Sequence, residues 1–125
     1  ELGIAADVDF PGFVSNPLAF LSHADLFVLS SRHEGFGNVV AEALACGCPV
    51  VSTDCPSGPA EILDHGRYGL LVPREDPRSL AGALAQALDA QHDRAELRRR
   101  GAEFSVDTAA GKYLQLLRAG TRDVA

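Results

Sequence analysis

The sequence predicts an α/β domain in which an open sheet of parallel strands is layered by helices. Three observations carry this. Short apolar runs alternate with helix-forming stretches, several helix candidates open at a proline, and turns rich in Gly and Pro separate the elements. A chain of 125 residues has room for one hydrophobic core and not for two.

The elements follow in order. Val8 to Phe10 reads as a short strand that Pro11-Gly12 ends. Pro17 opens a short helix with Asn16 as its cap. Leu26 to Leu29 is a continuous apolar run, suited to a strand covered on both faces. Asn38 to Cys46 is the clearest helix, with Val39, Ala43 and Cys46 on one face and Gly47 as its stop. Pro49 to Ser52 is the next strand, Pro59 to Leu63 a short helix, and Tyr68 to Val72 a further strand. Pro77 begins an Ala/Leu helix through Leu88, and helices are expected at Ala95–Glu103 and Asp107–Leu117. Joined by right-handed crossovers, these units place four strands, near 8–10, 26–29, 49–52 and 69–72, in one sheet. Phe20, Phe27, Leu44 and Leu63 are core candidates.

Charge narrows the function classes. Residues 1–90 hold 12 acids and 4 bases, whereas residues 91–125 hold 5 acids and 7 bases. An acidic body excludes a nucleic-acid binder, which needs a basic stripe. The basic end is the part suited to an anionic membrane or an acidic partner domain, although Arg98-Arg99-Arg100 by itself reads as a solvated face. No apolar run reaches the roughly 20 residues of a membrane span. The start, Glu-Leu-Gly, lacks a basic n-region and an apolar h-region, and reads as a cut inside a larger gene product. Cys46, Cys48 and Cys55 are odd in number and fit no zinc spacing, so reduced thiols and a cytosolic compartment are expected. Asp7, Asp9 and Asp54 are scattered, and no metal-ligand cluster is visible.

Sites in open parallel sheets lie beyond the carboxyl ends of the strands, here residues 11–16, 30–38, 53–59 and 72–76. The second of these, Ser30-Ser31-Arg32-His33-Glu34-Gly35-Phe36-Gly37-Asn38, runs straight into a helix. The amides of Gly37, Asn38, Val39 and Val40 are the unpaired donors of that helix start, suited to a diphosphate. Glu34 and Glu42 flank it and can accept hydrogen bonds from hydroxyls, as a nucleotide-sugar offers on either side of its diphosphate. The same residues also read as a capped helix with exposed glutamates, and Gly-x-Gly alone does not decide between the two.

Residues Ala24 to Pro73, ADLFVLSSRHEGFGNVVAEALACGCPVVSTDCPSGPAEILDHGRYGLLVP, closely resemble the donor-binding domain of retaining GT-B glycosyltransferases of family four. The family's Glu-x7-Glu motif falls on Glu34 and Glu42, and Phe10-Pro11-Gly12-Phe13-Val14 resembles its strand and loop beside the nucleotide base. The resemblance implies a Rossmann-like fold, with residues 1–125 as the C-terminal part of the second, donor-binding domain and its last helices at about 77–118. It implies Glu34 on the sugar hydroxyls, where it positions the donor rather than attacking it. It implies the loop from Gly35 through Phe36, Gly37, Asn38 and Val39 on sugar and diphosphate, Glu42 on the ribose, and main chain near Phe13 and Val14 on the base. His33, Ser57 and Gly58 are candidate pocket-wall residues.

The substrate implied is a nucleotide-sugar, UDP-sugar favoured, transferred to a glycan, lipid-linked or small acceptor with retention, and no obligatory metal is expected. The implied partner is an N-terminal acceptor domain of the same protein. The implied location is the cytoplasm, with peripheral contact at the inner face of the plasma membrane. The family's Arg and Lys that neutralise the leaving diphosphate have no counterpart in these residues, so this piece alone is expected to be inactive. One side of its sheet is expected to be open, with low solubility or oligomerisation. Alternatives are a sugar-nucleotide epimerase of the same architecture and a non-catalytic nucleotide-sugar-binding module. The Ser-Arg-x-Glu-Gly-Phe-Gly pattern favours the transferase.

Overall fold

A computed structural model of the chain describes residues 2–120. After a 3-10 turn at Ala5–Asp7 come α1 (Pro17–His23), β1 (Phe27–Leu29), α2 (Asn38–Ala45), β2 (Val50–Thr53) and α3 (Pro59–Ile62). Then follow β3 (Leu70–Val72), α4 (Pro77–Asp89), α5 (Arg94–Ala102) and α6 (Val106–Gly120). The strands form one parallel sheet in the order β1-β2-β3. Val51 at its centre stands opposite Val28 on one side and Leu70 on the other.

Side chains of a strand alternate between faces, and β2 shows what that accomplishes here. Val50 joins Leu29, Val40, Leu44, Ile62, Leu63 and Leu97 in the larger apolar cluster, supplied by α2, α3 and α5. Val51 points the other way, to Val72, Ala83 and Ala87, where α4 covers the sheet. All four residues of β2 are buried. Full burial of side chains such as Leu44, Ile62 and Leu63 contributes about 1.5–3 kcal/mol each. Close helix packing depends on Gly101, because a Cβ there would lie 2.2 Å from the Ala45 backbone nitrogen. α5 therefore rests directly on the end of α2.

Side-chain oxygens cap the starts of α1, α4 and α5. Asn16 accepts from the Ala19 amide, Asp76 from the Arg78 and Ser79 amides, and Asp93 from the Ala95 and Glu96 amides. The Ser79 hydroxyl, then its amide, holds the Asp76 carboxyl below the usual carboxylate range. The Glu96 amide does the same for Asp93.

Several expectations are corrected. Residues 8–10 form no strand, and Phe10 and Phe13 are 89% and 96% exposed. A three-residue run cut by Pro11-Gly12 finds neither a ladder partner nor cover for its second face. Phe20 is also exposed rather than core, since α1 touches the rest through Leu21. In α2 the buried residues are Val40, Ala41, Ala43 and Leu44, and Val39 and Cys46 pack, partly buried, against the same cluster. Val28 of β1 is exposed while Leu29 is buried, so the sheet is covered on one face there and open on the other. The expected basic end includes Arg122, which lies outside the described residues.

Candidate functional site

The loop after β1 is held from beneath by the loop after β2. Thr53, the last residue of β2, donates its hydroxyl to the Ser31 carbonyl at 2.6 Å and the Leu29 carbonyl at 3.3 Å. The Cys55 thiol reaches the same Ser31 carbonyl at 3.2 Å. Further along, the Ser57 hydroxyl donates to the carbonyls of Glu34 (2.9 Å) and Gly35 (3.0 Å). Gly58 has φ +87°, and a Cβ there would lie 1.8 Å from the Phe36 carbonyl oxygen. Only glycine permits that approach. Ser57 and Gly58 border a cavity of about 650 Å³ with Asp54 and Arg74. They also hold the glycine-rich loop in place.

α2 begins differently from the capped helices. Its N-cap is Gly37, left-handed at φ 83°, with no side-chain cap. The Val40 amide is taken by the Gly37 carbonyl at 2.8 Å, so Val40 leaves the expected donor set. The amides of Gly37, Asn38 and Val39 have no acceptor among the described residues. They converge at the positive end of the helix macrodipole, an arrangement that favours an anion.

In the chain the two glutamates come before and after this point. Glu34 is half-buried ahead of the helix, and Glu42 is exposed one turn inside it. Neither joins an ion pair among the described residues. Glu42, Val39 and Val14 border one apolar groove of about 780 Å³, walled by Phe20 and Phe27. Phe13 does not reach that groove. His33 borders a different cavity, of about 660 Å³, beside Arg32, Asp54 and Arg74. Arg32 pairs with Glu75 at 2.9 Å, and Arg74 donates to the Arg32 carbonyl at 3.2 Å. Ion pair and hydrogen bond together tie the rim to the loop after β3.

Among the described residues no group of His, Cys, Asp and Glu can hold a metal ion. The three cysteines are free. Burial pushes the Cys48 thiol up, against the lowering effect of Arg94, and Cys48 lies in the larger apolar cluster with its thiol at the Ala24 and Pro49 carbonyls. Sequence reasoning missed Thr53 and Cys55. A polar residue closing an apolar strand was the signal for the first, and the second had none. It also read Arg100 as a solvated charge, whereas its side chain is 16% exposed and donates to the carbonyls of Ile62 (2.9 Å) and Glu61 (2.7 Å).

A family model described as "Glycosyl transferases group 1" matches residues 1–90. The chain is 38% identical over 122 residues to the lipopolysaccharide core biosynthesis glycosyltransferase LpsE of Rhizobium meliloti, covering 94% of this chain and 36% of that protein. It is 37% identical over 89 residues to a Campylobacter jejuni N-acetylgalactosaminyltransferase acting on a diphospho-undecaprenol-linked sugar, covering 71% of this chain and 24% of the relative. The chain thus spans about a third or less of these relatives' length. Among solved structures, TarM superposes with a TM-score of 0.71 at 25% identity, over 84% of this chain and 22% of that one. The GtfA/B complex gives a TM-score of 0.73 at 21% identity, over 94% of this chain and 25% of that one, and supports the fold. The parallel sheet with its glycine-rich β1–α2 loop is the open Rossmann-like part of a GT-B glycosyltransferase, and the chain belongs to the glycosyl transferases group 1 family.

Proposed function

We propose that this chain is the donor-binding part of a retaining glycosyltransferase that uses a nucleoside diphosphate sugar, with UDP-sugar favoured. The observation that carries the reading is the set of three acceptor-less amides at the start of α2, flanked by two carboxylates free of ion pairs. The diphosphate would sit on the amides of Gly37, Asn38 and Val39, with Gly35 and Phe36 completing the loop. Glu42 would accept from the ribose hydroxyls, because it borders the groove that Val14 also lines. An exposed Phe13 side chain fits a base held by main chain at Phe13 and Val14. Glu34, on the opposite side, would accept from the sugar hydroxyls and position the anomeric carbon, a catalytic role without covalent attack. His33, Ser57 and Gly58 would close the wall on the sugar side.

The reading extends to the whole protein. Residues 1–125 would be part of the donor domain, with the acceptor domain supplied by the rest of the protein, and this piece alone would not turn over. The acceptor would be a glycan, lipid-linked or small molecule, the class suggested by the relatives' printed activities. The donor set here offers no metal site among the described residues, and we propose turnover without an obligatory divalent metal. No described helix is long and apolar enough to cross a membrane. A cytoplasmic enzyme working at the inner face of the plasma membrane is the proposed setting.

The test uses the longer enzyme that contains these residues. Glu42→Gln should weaken UDP and intact donor alike, by about ten- to hundredfold, since a hydrogen bond to a charged acceptor contributes roughly 1.5–3 kcal/mol. Glu34→Gln should leave UDP affinity nearly unchanged while lowering kcat/KM for transfer by a larger factor. Calorimetry with UDP and transfer kinetics separate the two. Equal loss of UDP affinity in both variants overturns the assignment, and reversed effects place the nucleotide the other way round. Chelator that abolishes turnover, with rescue by manganese or magnesium, overturns the metal-free reading.

A further inference from the structure

We infer that Arg100, in the last turn of α5, and Phe104, just beyond it, are positioning residues for the glycine-rich loop. The inference rests on the donor-site reading above for its effect on turnover, and on geometry alone for its effect on the loop. Two routes run from Arg100 to the same backbone. On the first, the guanidinium lies over the Phe104 ring at 4.8 Å, and Phe104 meets the Phe36 ring at 5.8 Å between centroids and 58° between planes. Phe36 is the residue between the two glycines of the loop. On the second, Nε and Nη2 of Arg100 donate to the Ile62 and Glu61 carbonyls at the end of α3. The start of α3 is the Ser57-Gly58-Pro59 turn that grips the Glu34, Gly35 and Phe36 backbone. Tyr68, at 5.3 Å, stacks on the guanidinium, and Glu103 pairs with its Nη1. A planar fork with donors in fixed directions can make two carbonyl bonds while stacked between rings, and an ammonium cannot.

Arg100 touches no part of the proposed donor site. Its role is to hold α3 and Phe36 at once, so that the loop is supported on both its backbone and its ring. Small displacements of reacting groups are costly in enzymes, about 100-fold for a shift of the order of 1 Å, so a loosened loop should lower turnover although the nucleotide contacts themselves remain.

The experiment uses the longer enzyme carrying these residues, with Arg100→Lys, which keeps the charge, and Phe104→Leu, which keeps apolar volume and leaves the carbonyl bonds of Arg100 intact. Hydrogen exchange is followed at the Val40 amide, which closes the loop onto Gly37, and at the amides of β2 as an internal standard. The expected result in both variants is faster exchange at Val40 with β2 unchanged, about a tenfold or greater fall in transfer kcat/KM, and a larger effect for Arg100→Lys. Val40 exchange that is unchanged, or that rises only together with β2, overturns the inference, because the residues then serve global stability alone. A loosened Val40 with kcat/KM unchanged also overturns it. Failure of the donor-site reading shows separately, as unaltered UDP affinity in Glu42→Gln, a variant that leaves Arg100 and Phe104 untouched.

Discussion

α4 and α6 carry the same kind of amphipathic pattern and meet opposite fates. In α4, Ala83 and Ala87 are buried against Val51 and Val72, with Leu80 and Leu84 packed beside them. In α6, Tyr113 is 69% and Leu116 70% exposed, and Leu114 is more than half exposed. Pattern therefore makes a helix capable of burial without deciding whether burial happens. α4 follows β3 closely enough to fold back over β2 and β3, whereas Tyr113, Leu114 and Leu116 of α6 have no such cover. The same contrast separates Leu29 from Phe10: both are apolar in strand-like runs, and only Leu29 has an element laid over it.

Substitutions in the 125-residue chain separate covered from uncovered apolar faces. The largest effect is expected for Ala87→Asp, which would bury an unpaired carboxylate against the sheet and destabilise by more than about 3 kcal/mol in denaturant unfolding. Gly101→Ala should cost about 1–3 kcal/mol, because the added methyl meets Ala45 backbone rather than a yielding side chain. Leu116→Asp in α6 should change stability by no more than about 0.5 kcal/mol, as exposed positions do. A loss above about 1 kcal/mol there would show that the α6 face is covered in solution, and a sedimentation run would show whether a second copy covers it.

The smallest effect concerns acid. Asp76 and Asp93 have carboxyl pKa values lowered in the folded chain by hydrogen bonds at the starts of α4 and α5. The charged form is thus favoured by folding. Their contribution is complete above the ordinary Asp pKa of about 3.9 and disappears as pH falls through that value toward the lowered native one. Asp76→Asn and Asp93→Asn should therefore differ from the parent at pH 6 and converge with it in strong acid. α6 starts at the Ser105 hydroxyl, which accepts from the Thr108 amide at 3.2 Å and has no charge to lose. Unfolding curves at both pH values check this, and a difference that persists in strong acid would place the carboxylates' effect elsewhere.

Much of the fold was legible because it is local. The apolar runs at 26–29, 49–52 and 69–72 became the three paired strands within a residue or two. Asn16 caps α1 as its position before Pro17 predicts. At the candidate site, Glu34 and the glycines directly precede α2 and Glu42 lies one turn inside it, as their spacing predicts. What the spacing could not show is which helix-start amides stay open, since the Gly37 carbonyl takes Val40 through backbone geometry that two glycines leave unspecified.

The strand–helix alternation, the central burial of β2 and the order of Glu34, the glycines and Glu42 along one loop and helix can be read from the chain alone. These depend on periodicity, caps and breakers acting over fewer than about ten residues. Exposure of Phe10 and Phe20, and the hold of Thr53 and Cys55 on Ser31 from 22 and 24 residues away, arise only when the elements pack. Packing likewise decides that Arg100, one of three consecutive arginines, is the one that stacks on Tyr68 and Phe104 and caps carbonyls 38 and 39 residues earlier. Burial and long-range hydrogen bonds are properties of two surfaces that meet, and no single stretch of chain contains both.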